Sequence, residues 1–307
     1  MRQVALLLAI DEQRTLRGAA EALGMTQPAA TKMLHELEEA LGQPLFERAG
    51  RGLRPTAAGL CATGYFRGLR GTIESLTQEL QQIRHGGVGR LRIGSIMAAS
   101  PGPLTAALIA LKQQMPMLAI EIDTGTSDRL MEHLNEGTLD LAIGRLPRHA
   151  VAGYRFRPLA EEALSVVAAT DHPLAARRRV AFDELRAFSW ILQPSGSPMR
   201  EVIEREFAAH HTPLPRGLIE SASILTTTNL IARTRMVAVI PESIASRYAA
   251  HGLLAVLPYR LRHQLASYGS IVRQDRPASL AARRFLDLLH AQAPDGADGA
   301  RTGASDR

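Results

Sequence analysis

The sequence predicts an α/β protein in unequal parts: a small helical unit carrying a hairpin, one long helix, and a larger domain in which strands and helices alternate. Three observations predict it. Apolar residues recur at helical spacing through most of the first ninety positions. From Arg90 onward, runs such as LRIGSI and LAIEID are each followed by a helical pattern. Between the two regimes stand Gly86, Gly87 and Gly89, which end a long helix.

The first two helices are read from Val4, Leu7 and Leu8, and then from Leu16, Ala19, Ala20 and Leu23, all at i, i+3, i+4 spacing. Gly24 interrupts the second. A third helix begins where Thr26 can cap it and Pro28 suits its first turn, with Ala30, Met33, Leu34, Leu37 and Leu41 as its buried side. The link from Leu23 to Thr26 is short and has glycine where a left-handed backbone is needed, which is the geometry of a helix-turn-helix. Gln27, Thr31 and Lys32 lie off the apolar stripe, near the helix end that such motifs place in the major groove. Gln can bond an adenine edge, Lys a guanine edge, and Thr offers a hydroxyl and a methyl. A solvated polar face is the plain alternative for one such helix taken alone.

The next residues favour nucleic acid. In the segment from Gly42 to Thr56, Leu45, Phe46 and Leu53 can anchor a small hairpin whose turn, Gly50 to Gly52, carries Arg51. Arg48, Arg51 and Arg54 stand close together and Glu47 is the only acid among them, so a positive wing suited to phosphate is expected. Thr56 then caps a helix running to about His85. Along it Ala62, Phe66, Leu69, Ile73, Leu76, Leu80 and Ile83 alternate steps of four and three, the seam of a coiled coil. A helix of about 40 Å projecting from a small domain is most simply buried by a second copy, so dimerisation is expected through Phe66, Leu69, Ile73, Leu76, Leu80 and Ile83. Gly59, Gly64, Gly68 and Gly71 work against the helix, each costing about 1 kcal/mol relative to alanine.

Residues 19 to 59, AAEALGMTQPAATKMLHELEEALGQPLFERAGRGLRPTAAG, closely resemble the DNA-binding domain of LysR-type transcriptional regulators. The paired alanines, the T-Q-P-A-x-T recognition helix, the L-E-x-x-L-G-x-x-L-F-x-R run and the T-x-x-G helix start occur in order. The resemblance implies that Gln27, Pro28, Thr31 and Lys32 approach bases or nearby backbone, and that Arg51 enters the minor groove from the wing. With Thr26, Arg48 and Arg54, these form the expected DNA-binding set. The family also implies a homodimer and a homotetramer, with RNA polymerase as a further partner.

From residue 90 to 290 the strands LRIGSI, LAIEID, LDLAIGR, ALSVVAAT, SWILQP and MVAVIP alternate with helices, including ones from about Pro101 to Gln114 and Pro198 to Ala209. In the LysR family such a domain is a periplasmic-binding-protein-like, two-lobed effector domain. The resemblance therefore implies lobe I at about 90–163 and 266–290, lobe II at about 164–265, and crossings near Ala163 and Ala266. Strands leading into helix N-termini create a polar cleft, because free backbone N–H groups attract a carboxylate or phosphate. Candidate contacts to a small, anionic effector are Ala99 and Ser100, Thr126 and Ser127, Ser195 and Ser197, and Ser223; an ordinary helix cap is the alternative at each. Arg145, after the strand LAIG, either pairs with the effector or is a solvent-exposed loop arginine.

The domain limits that follow are 1–58 for the winged helix-turn-helix, 59–89 for the linker helix and hinge, 90–290 for the effector domain, and 291–307 for a tail, AQAPDGADGARTGASDR, with nothing to bury. A formal charge of +6 fits a polyanionic partner. A single cysteine, Cys61, rules out an intrachain disulfide framework. No segment reaches about 18 uninterrupted apolar residues, and the apolar run Val4 to Ile10 meets Asp11 and Glu12, so a cytoplasmic chain with no membrane partner is expected. Catalysis finds little support. Ser195 sits in PSGSP rather than G-x-S-x-G, His210 and His211 are adjacent rather than i, i+4, and Arg92 occupies the third glycine position of a would-be dinucleotide loop. No cofactor or metal is expected. The expected function is a ligand-responsive DNA-binding regulator, with a solute-binding protein or an enzyme on the same α/β domain as alternatives.

Overall fold

The computed structural model describes residues 2–50, 52–84, 89–146 and 153–291. Arg51, the Gly86–Gly87 helix end and the tail beyond Ala291 therefore lie outside the described residues, as does the side chain of Ile83. The chain divides into two units at the end of the long helix.

In the first unit, α1 (Arg2–Gln13), α2 (Leu16–Ala22) and α3 (Gln27–Leu41) are followed by β1 (Phe46–Ala49), β2 (Gly52–Pro55) and α4 (Ala57–Arg84). The central element is α1. Every residue from Leu6 to Asp11 is buried, because α2, α3, α4 and β2 all pack around it. Gly24 adopts φ +63° in the turn, and Gly42 closes α3 at φ +67°, where its N–H reaches the Glu38 and Glu39 carbonyls. Two expectations about α3 need correction. Thr26 occupies the N-cap position but makes no side-chain capping bond, and Leu41 is 46% exposed, since α3 has left the core by its last turn.

The hairpin is tied to the helices by polar bonds that apolar periodicity cannot reveal. Glu38 on α3 accepts the Leu45 N–H at 2.7 Å and the Phe46 N–H at 3.3 Å. Arg14, left-handed at φ +55°, turns its carbonyl to accept the Leu53 N–H at 2.7 Å. Asp11, buried, pairs with Arg14 at 2.9 Å and with Arg67 of α4 at 2.7 Å. Thr56 caps α4 as expected, its hydroxyl accepting the Gly59 N–H at 3.0 Å while donating to the Pro44 carbonyl at 2.7 Å.

The second unit holds two five-stranded sheets. The first is built from β3 (Arg90–Ser95), α5 (Thr105–Gln114), β4 (Ala119–Thr124), α6 (Ser127–Glu136), β5 (Leu141–Gly144) and β6 (Tyr154–Ala160). The second contains β7 (Leu164–Ala168), α7 (Phe182–Leu185), β8 (Trp190–Leu192), α8 (Pro198–Ala209), β9 (Ile219–Glu220), α9 (Ile224–Ile231), β10 (Val237–Pro241), α10 (Glu242–Ala250) and β11 (Ala255–Val256). The chain then returns to the first sheet as β12 (Tyr268–Arg273) and ends in α11 (Leu280–Ala291).

The sheet orders are β4-β3-β5-β12-β6 and β11-β7-β10-β8-β9. In each, four strands run in one direction and the strand that enters after a crossing, β12 or β7, runs antiparallel to its neighbours. The sheets are therefore mixed rather than purely parallel. Continuous apolar runs become the buried central strands β5, β8 and β10, covered on both faces. Leu91, Ile93, Leu111 and Phe285 centre one core; Trp190, Phe207 and Val237 centre another on one face of the second sheet. The helix expected from Pro101 starts regularly only at Thr105. Met97–Ala99 forms a 3-10 turn and Ser100–Leu104 a π-type turn, where Pro101 and Pro103 supply no backbone N–H.

Candidate functional site

On α3, Thr26, Gln27, Pro28, Thr31 and Lys32 are all exposed at the N-terminal end, so the structure brings this set together on one solvent face. Part of its hydrogen-bonding capacity is spent locally: the Thr31 hydroxyl donates to the Gln27 carbonyl at 2.9 Å, and Lys32 lies 3.8 Å from Glu36. Gln27 keeps its amide free among the described residues.

The hairpin register sets Glu47 opposite Arg54, and Arg54 Nε bonds the Glu47 carboxylate at 3.0 Å. The expected positive wing is thus partly neutralised. Arg48, opposite Leu53 and exposed, has no ion-pair partner among the described residues. Along α4, Leu69, Leu76 and Leu80 are 44%, 54% and 57% exposed, and Ile73 is partly covered. Phe66 departs from the expected seam. It packs with Ala58 and Ala62 against the helical core of its own unit, because the first turns of α4 lie on α1.

In the second unit, the carboxyl ends of parallel strands from both sheets converge on one cavity. Ile96 and Met97 follow β3, Thr126 and Ser127 follow β4, and Arg145 follows β5; Gln193 after β8 and Pro241 of β10 come from the opposite sheet. Arg145 is buried at 4% exposure, which removes the solvent-exposed alternative. Its Nε donates to the Ala266 carbonyl at 2.8 Å, and its guanidinium lies 5.5 Å from the centre of the Tyr268 ring. Nη2 is buried with no hydrogen-bond partner among the described residues. Burial pushes the Arg145 pKa down to about 10, and the Glu162 carboxylate opposes that shift, so the group remains cationic at neutral pH.

Ser127 accepts the Arg145 backbone N–H at 3.1 Å. Ser100 and Ser223 line a neighbouring cavity of about 720 Å³, together with Met97, Thr124, Arg247 and Tyr248. Ser223 also caps α9, accepting the Thr226 N–H at 3.2 Å. Three predicted contacts fall outside both cavities. Ala99 is wholly buried in the 3-10 turn, Ser195 is solvent-exposed, and Ser197 caps α8 by accepting the Arg200 N–H while donating to the Pro194 carbonyl.

Residues 1–60 match the model described as "Bacterial regulatory helix-turn-helix protein, lysR family", and residues 84–294 match the model described as "LysR substrate binding domain". The chain belongs to the LysR family of transcriptional regulators. A LysR relative, the HTH-type transcriptional regulator GbpR of Azospirillum brasilense, is 36% identical over 95% of this chain and 86% of its own length. The solved LysR-family regulator CbnR is similar over 96% of this chain and 99% of that one, with TM-score 0.65 and 23% identity. Full-length CbnR complexed with its target DNA is similar with TM-score 0.63 and 21% identity, over 95% and 99% of the two chains.

As a LysR-family regulator, this chain couples a DNA-binding domain to an effector-binding domain. Its relatives are transcriptional regulators rather than enzymes. No helix among the described residues is long and apolar enough to cross a membrane. Sequence reasoning missed Gln193 and Met97 as residues lining the cavity. Gln193 carried a usable signal, a polar residue directly after the wholly apolar strand WIL. Met97 carried none, since an apolar residue beside a strand reads as core.

Proposed function

We propose that this LysR-family regulator binds a small carboxylate between the two sheets of its second unit, and that occupancy alters how paired subunits hold separated DNA half-sites. The observation that carries the effector class is Arg145, a buried cation with one guanidinium nitrogen unpartnered in the cleft. The cavity beside Arg145 is about 20 Å³, so a carboxylate would have to widen it to accept a charge-assisted bond from Nη2, with the Thr126 and Ser127 region and Gln193 as neighbouring polar groups. Arg145 also stands beside both chain crossings, bonded to the Ala266 carbonyl and within the field of Glu162. An anion drawing on the guanidinium would therefore bias the lobes toward one arrangement. Only differential affinity for the two arrangements produces regulation.

On the DNA side, Gln27, Thr31 and Lys32 read bases from α3, while Pro28 and Thr26 shape its entry and Arg48, Arg51 and Arg54 serve the backbone or minor groove. The domain limits proposed are 1–58, 59–89 and 90–290, the last divided into lobes at Ala163 and Ala266. The assembly proposed is a dimer through α4 that forms a tetramer in the cytoplasm and acts on RNA polymerase. The test is thermal denaturation of full-length protein against a library of aliphatic and aromatic carboxylates, for wild type and Arg145→Met. At least one carboxylate should raise the wild-type melting temperature and leave the variant's unchanged. Equal shifts in both proteins would reject Arg145 as the anchor.

A further inference from the structure

Away from the cleft, the second sheet's domain carries a separate groove of about 610 Å³, lined by Arg179, Phe182, Glu184, His210, Arg260 and Arg262 among others. We infer that this groove is a second ligand site, for a small multiply charged oxyanion such as an organic phosphate or a polycarboxylate. Two chain segments build it. The Val180 N–H bonds the Pro258 carbonyl at 3.2 Å, which sets the arginine run 177–179 beside the segment 258–262. Arg179, Arg260 and Arg262 make no ion pair among the described residues. Glu184 is the acid in the wall, and its carboxylate is engaged by the Ala181 N–H at 2.8 Å.

The buried carboxylate near the groove, Glu206, is committed to partners other than the arginine side chains. Glu206, 1% exposed, accepts the Tyr259 hydroxyl at 2.5 Å and the Arg262 backbone N–H at 2.9 Å. It therefore fixes the loop through Tyr259 and through main chain, while Arg260 and Arg262 are exposed and line the groove. His210 Nε2 lies 3.6 Å from Glu206, and its ring stacks on Phe182 with centroids 4.0 Å apart and planes within 9°. The floor is thus rigid while the cationic rim is unpaired. Guanidinium forks suit phosphate and carboxylate oxygens equally. The volume falls in the range of small-molecule sites, about 300–1,000 Å³, and concavity favours a compact anion over a nucleic-acid backbone.

Isothermal titration calorimetry of the full chain with inorganic pyrophosphate, and separately with citrate, tests the inference. One or both should bind at one site per chain, with affinity kept in Arg145→Met and weakened ten-fold or more in Arg179→Ala/Arg260→Ala. Pyrophosphate alone would mark a phosphate ligand, and citrate alone a carboxylate. Glu184→Gln, which keeps the acceptor for Ala181 and removes the wall's negative charge, should tighten binding at least two-fold even where the arginine variant unfolds. No heat from either anion at millimolar concentration overturns the inference, as does binding lost in Arg145→Met or unchanged in Glu184→Gln. A double variant that binds both anions normally but loses salt-dependent DNA affinity would assign the arginines to DNA instead, and overturn it as well.

Discussion

At Gly59 a single hydrogen atom decides the packing of the wing. A Cβ built there would lie 1.9 Å from the Leu45 carbonyl oxygen and 2.9 Å from its carbon, both backbone atoms that cannot swing aside. Alanine would gain about 1 kcal/mol in helix propensity, yet forced overpacking costs about 1–3 kcal/mol and here would also strain the Thr56 cap. Because the clash is with rigid backbone, Gly59→Ala should therefore destabilise the first unit, by up to about 2 kcal/mol net, read as a lower urea midpoint. A midpoint at or above wild type would mean that the helix start moves freely. At His290 the deciding factor is burial. Its Nε2 lies 2.7 Å from the Ser270 hydroxyl, and desolvation together with Arg157 pushes its pKa down to about 4, against about 6.5 in an unfolded chain. Between those values the unfolded state binds the extra proton, so stability is full above about pH 6.5 and falls as pH drops toward 4. Since the ring is only half buried, the loss should be on the order of 1 kcal/mol by pH 5. His290→Gln should flatten the dependence of the urea midpoint between pH 7 and 5, and an unchanged slope would place the acid sensitivity elsewhere.

The elements show which parts of the molecule were legible in the sequence. Strands β5, β8 and β10 were readable because both faces are buried and the apolar runs are unbroken. Edge strand β4 was readable from β-branched residues, although it is exposed at most positions. Strands β6 and β12 were not picked out, because YRFRPLA mixes charges into a half-covered strand and YGSIVR carries a glycine and a serine. The helix-turn-helix was read almost to the residue; the bonds fastening the wing to it were not, since Glu38 and Asp11 look like surface acids until their partners are known. The hairpin shows the same limit. Counting charges gave three equal arginines, whereas the register pairs Arg54 with Glu47 and leaves Arg48 without an acid among the described residues. Arg48→Ala should accordingly lower the slope of log affinity for DNA against log salt by about 1, and Arg54→Ala by less than half of that. Equal slopes for the two variants would mean that the Glu47 pair opens on DNA. In the effector domain the strand-end rule leads to Thr126, Ser127 and Arg145, which line one cavity, and also to Ser197, which lies outside it with both hydroxyl bonds used within its own turn.

For the whole molecule the remaining question is how α4 is covered. A helix of 28 residues spans about 42 Å, and beyond the turns that lie on α1 it carries Leu69, Leu76 and Leu80 in the open. Leucines at heptad spacing left in water forfeit about 1.5–3 kcal/mol each, and a second α4 laid alongside would recover that at every one. Because Phe66 is already used by its own unit, the pairing surface should be centred on Leu76 and Leu80 rather than on the full seam. Leu76→Glu/Leu80→Glu places two carboxylates per subunit where the partner's carboxylates also lie. Dissociation should then be favoured by about 6 kcal/mol, a ten-thousand-fold loosening or more. Sedimentation velocity at micromolar concentration should show the variant one step lower in assembly than wild type, with a melting temperature lowered by the lost association and no longer dependent on protein concentration. DNA carrying two half-sites should bind the variant with the affinity of a single half-site, because tethering, not contact chemistry, is what has been removed. A variant with wild-type mass in solution would move the subunit interface off α4, and would require another explanation for why this helix keeps its leucines exposed.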